Sequence, residues 1–162
     1  MQDLFPLPDY HLLKTIHIIS ATLLYGTGLG TYFFMIRALR AGNAEALRVT
    51  ASTVVLADWL FTTPAVVVQF VTGLMLMQYL GISISSAWFI VVMLLFVFVG
   101  ALWLPVVWIQ LRLRRQLREL PAGAALPADF KRLARLWEGL GYPAFGSGIG
   151  MFALMVYKPW IA

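Results

Sequence analysis

An all-α membrane protein, a polytopic up-down bundle of four transmembrane helices, is the fold class this sequence predicts, on three observations. The chain is 61% hydrophobic and only 12% charged, where soluble domains average about 45–50% and about 25%. Four stretches approach the roughly 20 apolar residues that a helix needs to cross a hydrocarbon layer roughly 30 Å thick. Ten of the twelve Lys and Arg gather around two of the three connections between those stretches, the asymmetry that sets orientation in a membrane. A length of 162 residues gives a single membrane domain, 1–162.

The first helix is expected over about residues 12–36, its apolar span closed by Arg37 and Arg40. The opening MQDLFPLPDY carries Asp3 and Asp9 and no basic residue. It therefore lacks the positive leader of a cleavable signal peptide, and the helix is expected to remain in the mature protein. Gly42-Asn43 breaks the chain. The second helix, about 50–80, is longer than one crossing requires and contains Pro64. Proline removes a backbone donor and collides with the preceding turn, so a kink near Phe61, a tilt, or an end projecting past the lipid is expected, with the Thr62 and Thr63 hydroxyls at hand for the carbonyls the proline frees. The third helix, about 87–118, holds Pro105 and continues past its apolar span Ala87–Ile109 as a basic amphipathic stretch. The fourth, about 130–157, has its span at Leu140–Tyr157 with Pro143 near the start. Connections this short set neighbouring helices antiparallel.

Arg37, Arg40 and Arg48 flank the first connection, and Arg112, Arg114, Arg115, Arg118, Lys131, Arg132 and Arg135 flank the third; the second carries no charge. Placing the basic ends in the cytoplasm puts both termini on the outer side of a bacterial inner (plasma) membrane. There the net charge of +5 marks contact with the headgroups of the lipid bilayer, and no nucleic-acid partner is expected. Zero Cys excludes thiol nucleophiles, Cys-ligated zinc and iron–sulfur clusters. With no GxSxG elbow, HExxH, Walker loop or EF-hand, soluble-type hydrolase or phosphotransferase chemistry is not expected.

An ionisable group inside a span costs about 2.5–3.5 kcal/mol on insertion scales and usually faces the bundle interior with a partner. Lys14 and His17, three residues apart, adjoin on one helix face. His17 lies 20 residues from Arg37, about 30 Å at the helical rise, so it sits near the outer boundary. Gln69 and Lys158 reach similar depth. An outer polar cluster of His17, Lys14, Gln69 and Lys158 is expected, rimmed by Trp88. Two readings stay open: a ligand site, or Lys14 snorkelling to the headgroups while His17 bonds a neighbouring helix. Asp58, in LADWLFTTP, shares the depth of Arg37, and the two are expected to form a structural ion pair or a proton relay. Gly26-Thr27-Gly28-Leu29-Gly30 is mirrored by Gly146-Ser147-Gly148-Ile149-Gly150, which signals close approach of helices or room for a flat ligand.

The runs YHLLKTIHIISAT (Tyr10–Thr22), TVVLADWLFTTP (Thr53–Pro64) and WLPVVWIQ (Trp103–Gln110) together resemble a bacterial membrane family catalogued as domain of unknown function 2269. The likeness spans nearly the whole chain and implies architecture, because that family carries no established activity. More distantly, the Lys-x-x-His-Ile-Ile element at Lys14–Ile19 resembles the first helix of HemJ-type protoporphyrinogen oxidases and of CopD-like membrane proteins. That resemblance implies tetrapyrrole or copper handling, with Lys14 as a porphyrin carboxylate partner, His17 as a candidate haem iron ligand and haem b or another porphyrin as cofactor. His11 and His17, six apart, are separated by about 120° around a helix and about 9 Å along it, so they cannot share one iron. No histidine follows His17, and a second ligand would come from a methionine, a lysine, water or another protomer.

Three functions stand as expectations. The first is a haem- or tetrapyrrole-binding or redox-associated membrane protein using His17, Lys14 and Gln69, an oxidoreductase if HemJ-like. The second is a small proton-coupled transporter built on Asp58 and the kinks at Pro64 and Pro105, working as a homodimer because four helices are few. The third is an accessory subunit of a larger membrane complex.

Overall fold

The computed structural model describes residues 8–121 and 123–159. Met1–Leu7, on which the expectation of an uncleaved N-terminus partly rests, lie outside the described residues. Four helices, each long and apolar enough to cross a membrane, make up the fold: α1 (Tyr10–Ala41), α2 (Ala44–Tyr79), α3 (Ala87–Glu119) and α4 (Ala128–Tyr157).

The helix ends follow from capping chemistry. Asp9 accepts from the Leu12 amide at 3.0 Å and opens α1, and Gly42, in the left-handed conformation at φ 68°, closes it. Asn43 then accepts from the amides of Glu45 and Ala46. Helix α2 therefore begins at Ala44, well before the expected start near Thr50. Glu45 and Arg48, which look like a polar flank, instead form its first turn and an ion pair. Arg48 also reaches across to donate to the carbonyls of Leu117 (3.0 Å) and Leu120 (2.9 Å), satisfying the exposed C-terminal end of α3. Ser86 caps α3 through the Phe89 amide.

The expected break before Pro64 takes the form of a π turn over Asp58–Thr62 inside α2. The Thr63 amide bonds back to the Asp58 carbonyl, one residue further than an α-helix allows. The Thr63 hydroxyl donates to the same oxygen at 2.9 Å, as the threonines beside the proline predict.

The helices form a ring in chain order, with α1 beside α2, α2 beside α3, α3 beside α4, and α4 back against α1. Packing is uneven along it. At the basic end a continuous core joins all four helices through Met35, Leu47, Val54, Leu113, Phe130 and Trp137, among others. At the neutral end a smaller cluster holds Met77, Trp88 and Val92. Beyond the π turn, Thr63–Tyr79 approaches closely only α1, and its backbone stands apart from α3 and α4. Side chains bridge that separation, notably the stacked rings of Phe70 and Phe96 at 5.6 Å. Between the two clusters the ring leaves a hollow.

Candidate functional site

The hollow is a partly open cavity of about 450 Å³ that touches all four helices. Its wall is mainly apolar and aromatic, with Tyr25, Tyr32, Phe96, Trp103, Phe145 and Phe152 contributing. Besides Thr22 and Thr31 of α1, its non-aromatic polar residues fall into two groups: His17 with Gln69, and Asp58 with Thr62 and Gln110. Gln69 and Asp58 are eleven residues apart on α2, about 16 Å along the axis.

His17 is half-buried against α2 and both of its ring nitrogens are engaged. The Gln69 amide donates to Nε2 at 2.8 Å, so the ring proton resides on Nδ1 and is donated to the Thr72 hydroxyl at 2.8 Å. Thr72 passes its own proton to the Val68 carbonyl at 2.6 Å. Buried Ser20, one turn beyond His17, donates to the Gln69 carbonyl oxygen at 2.5 Å. The ring packs against Gly73, where a Cβ would stand in van der Waals contact with it at 3.4 Å. The group is thus a closed chain of neutral hydrogen bonds joining α1 to α2.

Asp58 is 6% exposed, at the first position of the π turn. The Thr62 hydroxyl donates to its carboxyl at 3.0 Å, and buried Gln110 of α3 lies near it on the same cavity wall. Arg37 is exposed and makes no ion pair with Asp58. The expected Asp58–Arg37 pairing is therefore not formed, and the carboxyl accepts from the Thr62 hydroxyl instead. The reason is the face Arg37 occupies: it is exposed, while Met35, Ile36 and Ala38 on either side of it are buried.

The other members of the expected outer cluster separate in the same way. His17 and Gln69 come together, but Lys14 is exposed, with its ammonium 5.7 Å from the Tyr10 ring. Lys158 caps α4 in the left-handed conformation, and neither lysine lines the cavity. Trp88, expected at the rim, is buried at 4% exposure and donates to the Leu154 carbonyl at 2.8 Å. Among the described residues, no three His, Asp or Glu side chains are grouped to hold a metal ion.

The mirrored glycine runs act differently from the expected backbone contact. Gly26, Gly30, Gly146 and Gly150 have open space where a Cβ would stand. Two glycines of α4, Gly141 and Gly148, instead seat tyrosine rings of α1: Tyr32 lies on Gly141 and Tyr25 on Gly148. Each hydroxyl then donates to the carbonyl three residues before its glycine, Tyr32 to Glu138 at 2.9 Å and Tyr25 to Phe145 at 3.1 Å. Because tyrosines and glycines are both seven residues apart, one antiparallel register sets both clamps. These clamps close the α1–α4 wall and place two aromatic faces on the cavity. Ser20, Thr72 and Gln110 also escaped the sequence reading, although each is a polar side chain within an apolar run, and Thr62, expected to serve a freed carbonyl, donates to the Asp58 carboxyl instead.

Fold and site together define a polytopic membrane protein with four spans around an internal cavity bearing a few paired polar groups. The chain belongs to the family described as a predicted integral membrane protein, domain of unknown function 2269, whose model matches residues 11–159. No curated protein and no solved structure matches it.

Proposed function

We propose that this protein binds a small lipid-soluble molecule in the cavity between its helices, in a redox-associated role, in a bacterial inner membrane with both termini outside. The observation that carries this reading is the cavity itself, which gathers His17, Gln69, Asp58 and Gln110 from three helices onto one aromatic wall. Ligand sites have this character, mostly apolar with a few placed polar groups. The basic residues at the two connections at one end support the orientation.

Haem b or another porphyrin, the cofactor implied by the likeness of Lys14–Ile19, fits these residues poorly. Both ring nitrogens of His17 are engaged by α2, so an iron would have to displace Gln69 or Thr72. Among the described residues no Lys or Arg lines the cavity to meet porphyrin carboxylates, and a carboxyl group, Asp58, is already there. Proton-coupled transport is the second reading, favoured by Asp58 sharing one cavity with His17 on either side of the π turn.

Gly100 lines the cavity with open space at its Cβ, so Gly100→Phe fills the site without a backbone clash. Protein purified from membranes should carry a small molecule in near-equimolar amount, detected by mass spectrometry of an organic extract, and Gly100→Phe should lack it. Equal yield from both proteins, or none from either, contradicts the reading. An absorption spectrum of the same sample separates the classes: a Soret band removed by His17→Ala identifies a haem.

A further inference from the structure

We infer that the cavity's occupant is an uncharged, lipid-soluble molecule whose head carries hydrogen-bond acceptors, of the quinone class, admitted sideways from the bilayer between α2 and α3. This rests on the reading of the cavity as a ligand site and names the ligand's chemistry.

Charge is the first constraint. The cavity has a carboxyl group and, among the described residues, no Lys or Arg on its wall. An anionic head would be desolvated there without a counter-charge, at a cost that excludes it. Donors are the second. The Trp137 indole is 2% exposed, lines the cavity, and its N–H has no protein acceptor. A buried donor without a partner is costly, and an acceptor on a ligand would satisfy it. The Gln110 amide lies on the same wall beside Asp58. A carbonyl-bearing ring matches these donors, and its flat faces match the stacked pair of Tyr32 on Trp137, whose centroids are 5.1 Å apart.

Access is the third constraint. The α1–α4 wall is clamped by the Tyr25 and Tyr32 hydroxyls and the α1–α2 wall by His17. The α2–α3 wall beyond the π turn has no close backbone approach and is bridged by Phe70 and Phe96. Two aromatic side chains can swing aside where two packed helices cannot. A ligand passing there comes from lipid, which selects a molecule that dissolves in it.

The test is quenching of tryptophan emission by decylubiquinone in the full-length protein, reconstituted in neutral phosphatidylcholine nanodiscs. The expected result is saturable quenching that sodium decanoate does not reverse. Trp137→Phe should weaken the affinity about three- to tenfold, the worth of one hydrogen bond, and Gly100→Phe should abolish saturation. If Trp137→Phe fails to fold, Gln110→Met carries the same expectation. Three outcomes overturn the inference: quenching that rises linearly without saturation, reversal of the quenching by sodium decanoate or by undecane, or an affinity unchanged in the donor variant. If Gly100→Phe removes a co-purifying molecule while decylubiquinone fails to saturate, the cavity is still a ligand site and only its assignment to quinones falls.

Discussion

At His17 the imidazole meets a donor on one nitrogen and an acceptor on the other, both supplied by α2. Removing Gln69 alone leaves His17 Nε2 and the Ser20 hydroxyl without that partner in an apolar setting, which is the expensive half of hydrogen-bond energetics. Gln69→Leu should therefore destabilise the protein by about 1–2 kcal/mol, and the double change His17→Leu with Gln69→Leu should cost less than Gln69→Leu alone. Unfolding by SDS titration from mild detergent micelles measures both; a double variant weaker than the single would refute the pairing. His17 and Gln69 were legible in the sequence as polar residues at matched depth on adjacent helices. Of the two readings open for Lys14, its exposed position matches snorkelling, because sharing a helix face with His17 does not oblige a long, flexible side chain to point inward. Thr72 escaped notice because threonines within helices bond their own turn, as Thr72 also does with Val68.

Among the elements, α4 is held to α1 by two tyrosines lying on two glycines, and the pattern separates glycines that matter from those that do not. A Cβ at Gly141 or Gly148 would stand inside the envelope of the Tyr32 or Tyr25 ring, so Gly141→Ala and Gly148→Ala should each cost about 1–3 kcal/mol as overpacking does. Gly146→Ala and Gly150→Ala meet nothing and should be neutral or slightly stabilising, since alanine is the better helix former by about 1 kcal/mol. Thermal unfolding in one detergent compares all four, and equal losses would remove the distinction. The sequence shows two glycine-rich runs but not which glycine carries a ring, because that depends on the register between helices far apart in the chain. The kink is a similar case. Pro64 announces a break near Phe61, while its form, a π turn that sets Asp58 on the cavity wall, depends on how the neighbouring helices accommodate it.

For the whole molecule, helix number followed from apolar length, and the orientation proposed from the basic residues can be tested on this Cys-free chain. Ser85→Cys, in the neutral connection, should react with a membrane-impermeant maleimide added to intact spheroplasts, and Ala125→Cys, between α3 and α4, should react only after lysis. The reverse pattern would invert the bundle. The cavity was not legible, because a hollow is what four helices leave unfilled and no single stretch of sequence encodes it. It arises where the basic-end core stops, the π turn redirects α2, and Gly28, Gly100, Gly141 and Gly148 stand among the aromatic rings of the wall. It also brings His17 and Asp58, separate sites by sequence, onto one wall. The most direct measurement is an electron cryomicroscopy map of the protein in lipid nanodiscs, with a rigid antibody fragment added for size. The account predicts non-protein density between the His17–Gln69 group and the Asp58–Gln110 group, lying against the Tyr32 and Trp137 rings. A hollow closed by inward movement of Phe96 and Phe145, with no density of its own, would contradict it.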